Sequence, residues 1–182
     1  GQFRENVISA NTGAGVEITT AANPTLCKNR IQQGLASGIY VHSSGRGVVS
    51  ENTIKANQAD GILTETAGAP VVDKNDILEQ VGNGVCSLKE GLGTFTCNRV
   101  HANEANGFCV GSAADPSASR NEIFENVKAG CESKGEGLGK FTDNQIFGNL
   151  DSGFRSSSKA SPTVTKNVIR ANQLAGVHCA NR

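Results

Sequence analysis

Aromatic residues are scarce in this chain of 182 residues. It contains no tryptophan, no methionine and one tyrosine, and only 37% of its residues are hydrophobic, a composition that does not suit a helical bundle. No segment approaches the about 18 consecutive apolar residues of a membrane-spanning helix, so no membrane contact is expected. The 17 Lys and Arg balance the 17 Asp and Glu, which leaves no basic surplus to attract nucleic acid.

An internal repeat of 23 residues covers the whole chain. Asparagine recurs at this spacing without a slip, and glycine recurs at the same spacing nine residues later in each unit. The chain therefore consists of eight copies of one unit, and the fold is expected to be a repeat architecture. The asparagine column contains Asn6, Asn29, Asn52, Asn75, Asn98, Asn121, Asn144 and Asn167.

Apolar residues within each unit are spaced by two, which is typical of β-strands. The runs are short and end at Asn and Gly corners, so they suit brief strands that stack on the same strands of the next unit. We predict an all-β parallel solenoid of eight coils of 23 residues, and a leucine-rich repeat is disfavoured because its leucine motif is absent. Residues 1–182 are predicted to form a single domain. We expect it to be a fragment of a longer repeat protein, because the first and last coils resemble the middle ones and lack distinct capping units.

The polar columns are predicted to be structural. Stacked asparagine amides can hydrogen-bond to one another and to the backbone at the corners, so we interpret the asparagine column as a ladder along the solenoid. The residue before each asparagine alternates in charge, as in Glu5, Lys28, Glu51 and Lys74. Opposite charges on adjacent coils attract, which predicts a second ladder of ion pairs at this corner.

The repeat resembles a known class of solenoid. The segment from Gly38-Ile-Tyr-Val-His42 through Asn52-x-Ile is similar to the right-handed parallel β-helix repeats of the pectin-lyase-like superfamily. The segment Asn23-Pro-Thr-Leu-Cys-Lys-Asn29 looks closest to the β-helix substrate-recognition region of F-box proteins with such repeats. The resemblance implies a single-stranded right-handed β-helix, and its members include polysaccharide lyases, polygalacturonases, uronate epimerases and non-enzymatic binding domains.

Evidence for an active site in the sequence is weak. The resemblance implies that enzymes of this superfamily hold Asp with Arg or Lys, or a His/Arg/Asp set, beneath long inserted loops. This chain has no insertion in any coil. Its acidic residues fall in different columns, which disfavours hydrolysis by paired carboxylates. The best catalytic candidates are Asp76, Arg99 and His101, and their convergence on one face would favour a lyase or epimerase.

Two outward rows are the candidate binding surfaces. The row two residues after each glycine includes Tyr40 and Leu63, and its middle is apolar. The row three residues after each asparagine contains rings and a leucine where solvated side chains are expected. Apolar exposed rows mark interaction surfaces, although the rings can also stack on one another. The predicted binding residues are Tyr40, Leu63, Leu78, His101, Phe124 and Phe147.

The six cysteines and three histidines do not suggest a metal or cofactor site. No Cys-x-x-Cys motif is present, and the histidines lie in three well-separated coils. Cys86 and Cys109 occupy the same column of adjacent coils, so a disulfide between them is left open, while free thiols are expected elsewhere. Free thiols favour a reducing, intracellular compartment.

The sequence is compatible with three functions. The leading hypothesis is a non-catalytic β-helix that presents an outer sheet face to a protein segment or a polysaccharide, without a cofactor. The second is a carbohydrate-active enzyme of the lyase or uronate epimerase type, and the third is a structural rod or spacer. End-to-end self-association is a further expectation, because a solenoid exposes apolar layers at its ends.

Overall fold

The computed structural model describes residues 1–180 and confirms the predicted architecture. It contains 24 strands, numbered β1 to β24 in chain order, and no helix among the described residues. The strands form three eight-stranded sheets, and each coil contributes one strand to each sheet. All strand pairings are parallel, so each coil lies on the previous one as a layer of a solenoid.

Sheet A contains β1 (Gln2–Arg4), β4 (Thr25–Cys27), β7 (Val48–Ser50), β10 (Val71–Asp73), β13 (Thr94–Thr96), β16 (Ser117–Ser119), β19 (Lys140–Thr142) and β22 (Thr163–Thr165). Sheet B contains β2 (Val7–Ser9), β5 (Arg30–Gln32), β8 (Thr53–Lys55), β11 (Asp76–Leu78), β14 (Arg99–His101), β17 (Glu122–Phe124), β20 (Gln145–Phe147) and β23 (Val168–Arg170). Sheet C contains β3 (Val16–Ile18), β6 (Ile39–Val41), β9 (Ile62–Thr64), β12 (Val85–Ser87), β15 (Phe108–Val110), β18 (Cys131–Ser133), β21 (Phe154–Ser157) and β24 (Val177–Ala180).

The hydrophobic core runs through the centre of the coil stack. The middle residue of each sheet B strand points inward, and Ile31, Ile54 and Ile77 are fully buried, as the two-residue apolar spacing predicts. Phenylalanines from sheets A and C cross at this centre, with Phe95 edge-on to Phe108 at 5.1 Å between ring centroids. Identical or similar residues therefore stack coil on coil, and this packing fixes the register.

The corner between sheets A and B is turned by left-handed backbone. All eight residues that precede the asparagine column have φ between 54° and 58°. Such values are uncommon for residues other than glycine, and here the asparagine that follows compensates with its hydrogen bonds. The amide of Asn75, for example, donates to Asn98 Oδ1 at 3.0 Å and to the carbonyl of Val49 at 2.9 Å. The asparagine ladder is therefore confirmed.

The ion-pair ladder predicted at the same corner is largely wrong. Within residues 1–180, Lys28 and Glu51 make the single pair between successive members of this column, with their charged atoms 3.9 Å apart. Lys74 contacts Asp73 of its own coil instead. These side chains are exposed, and a weak attraction in water does not offset the loss of side-chain freedom that a continuous ladder would require.

A second amide ladder follows the strands of sheet B. The backbone amide of Gly34 donates to Asn57 Oδ1, and the chain of contacts continues through Gln80 and Asn103 to Asn126. The glycine column lies after this ladder in each coil, and adjacent coils approach closely there because glycine has no side chain. A Cβ on Gly107 would lie 2.4 Å from the side chain of Ile123.

Candidate functional site

Asp76, Arg99 and His101 converge on the outer face of sheet B. The strand register places Asp76 opposite Arg99, and the His101 imidazole reaches Asp76 diagonally across the same strand pair. His101 Nε2 lies 3.0 Å from Asp76 Oδ1, and a guanidinium nitrogen of Arg99 lies 3.3 Å from the same oxygen. Arg99 also extends to Glu122 on the following coil, 3.7 Å away. The cluster is a carboxylate–imidazole pair held beside an arginine.

Three rings of the same face form a continuous stack. His101 lies parallel to Phe124 at 4.6 Å between centroids, and Phe124 lies parallel to Phe147 at 5.1 Å. The guanidinium of Arg170 covers the last ring at 4.5 Å from its centroid. Only 9% of Phe124 is exposed. Of the two arrangements that the sequence left open for this row, the rings adopt the stacked one, in which they bury much of their faces against one another.

The amino-terminal half of sheet C carries Tyr40 beside His42. The tyrosine hydroxyl donates to Glu65 at 2.9 Å, and the histidine ring stacks on the tyrosine ring at 4.3 Å between centroids. His42 also contacts a carboxylate oxygen of Glu17 at 2.8 Å. Burial raises the pKa of Tyr40, and the neighbouring Glu65 carboxylate raises it further. Tyr40 and Leu63 are half-buried, so this part of the row offers a mixed polar and apolar surface.

A third polar ladder was not predicted, and it borders sheet C. Asp60 Oδ1 accepts from the backbone amide and the side-chain amide of Asn83, at 2.7 and 2.8 Å. Asn83 accepts in the same way from Asn106, whose amide also donates to Glu132 at 3.2 Å. Burial raises the pKa of Asp60 above its ordinary value, although the hydrogen bonds from Asn83 oppose this shift. The ladder ends at a charged cluster of the outer face.

That cluster forms the side of a polar groove. Glu132 lies between two cations, with Lys134 Nζ 3.2 Å away and Arg155 Nε 3.9 Å away. Asp151 contacts the other end of Arg155 at 3.5 Å. The groove has a volume of about 540 Å³. Its lining residues are Asn83, Ala105, Asn106, Lys128, Glu132, Lys134, Asp151 and Arg155.

The groove contains a hydrogen-bond donor that is not used within residues 1–180. Arg155 Nε is buried and has no acceptor at hydrogen-bond distance, because the nearest oxygen of Glu132 is 3.9 Å away. Lys134 is held in its charged form, since the nearby Cys109 and then Glu132 raise its pKa despite the opposing effect of burial. The groove can therefore offer cationic donors, amide groups and carboxylate acceptors to one polar ligand.

All six cysteines are free thiols, and Cys86 and Cys109 lie side by side on adjacent strands of sheet C. Both belong to the row two residues after each glycine, which is expected to face outward, but they are 3% and 2% exposed. Among residues 1–180 no group of three or more His, Cys, Asp or Glu could hold a metal ion. The described part of the chain likewise has no helix with the length and hydropathy needed to cross a bilayer.

Comparisons with known proteins agree on the fold. One solved structure, a mutant of the periplasmic alginate epimerase AlgG, is 19% identical, with a TM-score of 0.79 over 91% of this chain and 49% of its own. Another, the A-module of the mannuronan C-5 epimerase AlgE4 of Azotobacter vinelandii, is 15% identical, with a TM-score of 0.64 over 94% of this chain and 63% of its own. The chain thus spans about half of the first structure. A search of curated protein sequences finds no match.

A family profile supports the same assignment from sequence. The profile described as "Right handed beta helix region" matches residues 1–91 and 60–182, which together cover the whole chain. The particular similarity to the β-helix region of F-box proteins stays a prediction. With the parallel coils, the amide ladders and this match, the chain belongs to the right-handed β-helix family.

Proposed function

We propose that this β-helix binds an acidic polysaccharide in the groove beside sheet C. The observation that carries the proposal is the composition of the groove, which combines the amides of Asn83 and Asn106 with charged side chains of both signs. Sugar hydroxyl groups are both donors and acceptors, so they pair with amides and carboxylates. A carboxylated sugar would in addition pair with the cations.

The charge balance of the groove favours an anionic ligand. Its lining contains three cationic side chains, Lys128, Lys134 and Arg155, and two carboxylates, Glu132 and Asp151, which leaves an excess of one positive charge. The cluster on sheet B has the opposite balance, since one arginine faces two carboxylates there. A uronate would therefore be bound better on sheet C than on sheet B.

The structural neighbours suggest which polysaccharide to test first. Their names refer to alginate and mannuronan, which are polymers of uronic acids with one carboxylate on each sugar. Sequence identities of 19% and 15% support a shared fold but not a shared activity, so the choice of a uronate polymer is part of the proposal. A ligand of this kind also matches the polysaccharide partner expected from the sequence.

The binding experiment is a calorimetric titration with oligomannuronate, compared with a neutral glucan oligomer of the same length. We expect binding of the uronate only. Arg155→Gln removes a charge-assisted contact worth about 1.5–3 kcal/mol, so the affinity should fall by at least about tenfold. Arg170→Gln, which removes the same charge from sheet B, is the matched control and should leave the affinity unchanged. Absence of uronate binding, or equal losses in both variants, would refute the proposed groove.

A second function, proton transfer on a uronate at Asp76, Arg99 and His101, is favoured by their convergence. An imidazole oriented by a carboxylate is a common general base, and an adjacent arginine can neutralise a substrate carboxylate. The imidazole is 14% exposed, which restricts access to it. NMR of mannuronan incubated with the protein tests this function, because epimerisation and elimination give distinct proton signals. Turnover by the wild-type protein that is abolished in His101→Gln would support proton transfer. Absence of turnover would refute it and leave polysaccharide binding as the proposed function.

A further inference from the structure

Cys86 and Cys109 are direct partners on adjacent strands of sheet C. The register pairs the two residues, and neighbouring parallel strands lie about 4.8 Å apart, within the Cα separation that a disulfide accepts. Both side chains leave the sheet on its outer side, so the two thiols lie beside one another across the strand pair. A disulfide here would link two consecutive coils without moving either strand far.

The surroundings make the two thiols unequal. Donation from Cys86 lowers the pKa of Cys109, while the same contact and then burial raise the pKa of Cys86. The ammonium group of Lys134 on the following coil also favours the Cys109 thiolate. Since the thiolate is the nucleophile, Cys109 is expected to react first, with Cys86 beside it as the second thiol.

We propose that Cys86 and Cys109 are a redox modification site, in which hydrogen peroxide or a related small peroxide converts the two thiols into a disulfide. The low exposure of both residues favours a small oxidant over a bulky disulfide. This site does not depend on polysaccharide binding. It is separate from the other four cysteines, of which Cys131 is fully buried within the core.

The reaction proceeds in two balanced steps. The Cys109 thiolate attacks one peroxide oxygen, so that an S–O bond forms, the O–O bond breaks and hydroxide leaves. The thiol of Cys86 then attacks the sulfenic sulfur, the S–S bond forms, and the sulfenic hydroxyl departs with the Cys86 proton as water. The peroxide is reduced by two electrons, and the two sulfur atoms supply them.

The test is peroxide treatment of the full chain, followed by alkylation in denaturant and peptide mass spectrometry. We expect a Cys86–Cys109 disulfide that dithiothreitol reverses, while Cys131 stays reduced because it has no thiol partner and its pKa is raised by burial. The proposal is overturned if Cys86 and Cys109 are still reduced, and therefore alkylated, when the exposed Cys179 has been oxidised. It is also overturned if disulfides form only between other cysteines.

Variants separate the roles of the two thiols. In Cys86→Ser the sulfenic acid cannot be resolved, so dimedone should label Cys109, whereas Cys109→Ser should leave Cys86 unlabelled. Lys134→Gln should slow disulfide formation, because the Cys109 thiolate loses the nearby positive charge that favours it. Labelling of Cys86 instead of Cys109, or a rate unaffected by Lys134→Gln, would contradict the assigned order. Circular dichroism of each variant checks that the fold is retained.

Discussion

The amide ladder predicts a large loss of stability when a central asparagine is removed. Asn98 is 2% exposed and stands in the middle of the column. Its Oδ1 accepts from the backbone and the side chain of Asn75, at 2.9 and 3.0 Å. Its amide donates to the carbonyl of Val72 and to Asn121 Oδ1, both at 3.0 Å. Asn98→Ala therefore removes four hydrogen bonds and leaves the buried backbone amide of Asn75 without an acceptor.

The magnitude follows from these contacts. Four hydrogen bonds at about 1 kcal/mol each give a decrease of about 4 kcal/mol in the free energy of unfolding. Asn6→Ala is the matched control at the end of the column, because Asn6 is exposed and its side chain makes one hydrogen bond to Asn29. That variant should lose about 1 kcal/mol. Urea unfolding followed by circular dichroism measures both changes.

The comparison between the two variants can refute the reasoning. The account requires Asn98→Ala to be less stable than Asn6→Ala by about 3 kcal/mol, with a similar denaturant slope. Equal losses at the two positions would mean that the column adds no stability in the interior of the solenoid. The left-handed corners would then need another source of compensation.

Two further predictions concern the coil contacts and the pH dependence of stability. Gly107→Ala should destabilise by about 1–3 kcal/mol in thermal unfolding because its Cβ would collide with Ile123. Gly13→Ala, with no atom within 4 Å of the new Cβ, should have little effect, and equal changes would contradict the contact. Burial raises the pKa of Asp60 above 3.8, so its contribution to stability is present below that pH and is lost as the pH rises through the raised value. Asp60→Asn should therefore gain stability relative to wild type from pH 3 to pH 7, and a constant difference would contradict this.

The coil register and the main ladder could be predicted because every repeat contains their signal. Identical spacing makes Ile31, Ile54 and Ile77 stack in one column, and Asn75 stack on Asn98, whatever the side-chain details. The hydrophobic alternation then decides which side of each strand faces the core. Because the period has no insertions, the pairing of strands between coils and the inward face of each strand can both be deduced from the sequence.

The groove could not be predicted because its signal is absent from most repeats. The ladder position before the glycine holds a carboxylate or amide in three consecutive coils, at Asp60, Asn83 and Asn106, and Ala or Ser elsewhere. The burial of Cys86, which is 3% exposed on an outward-facing row, is likewise not specified by the repeat. Contacts such as the one between Arg155 and Asp151 depend on side-chain conformations that periodicity does not specify.

The cluster of Asp76, Arg99 and His101 on sheet B was predictable in part. The repeat places Asp76 opposite Arg99, and this pairing was available from the spacing alone. The diagonal contact of His101 with Asp76 and the stacking of His101 on Phe124 depend on side-chain orientation. The residues were therefore predictable as candidates, whereas their mutual distances and the burial of the rings were not.

Polysaccharide binding in the groove is tested most sharply by an amide chemical-shift map of the isotope-labelled protein during titration with oligomannuronate. We expect shifts that saturate and cluster around the groove, at Asn106, Lys134 and Arg155, with little change on sheet B. Shifts confined to the neighbourhood of Asp76 and His101 would move the site to sheet B. A spectrum unchanged at saturating uronate would contradict polysaccharide binding by this β-helix.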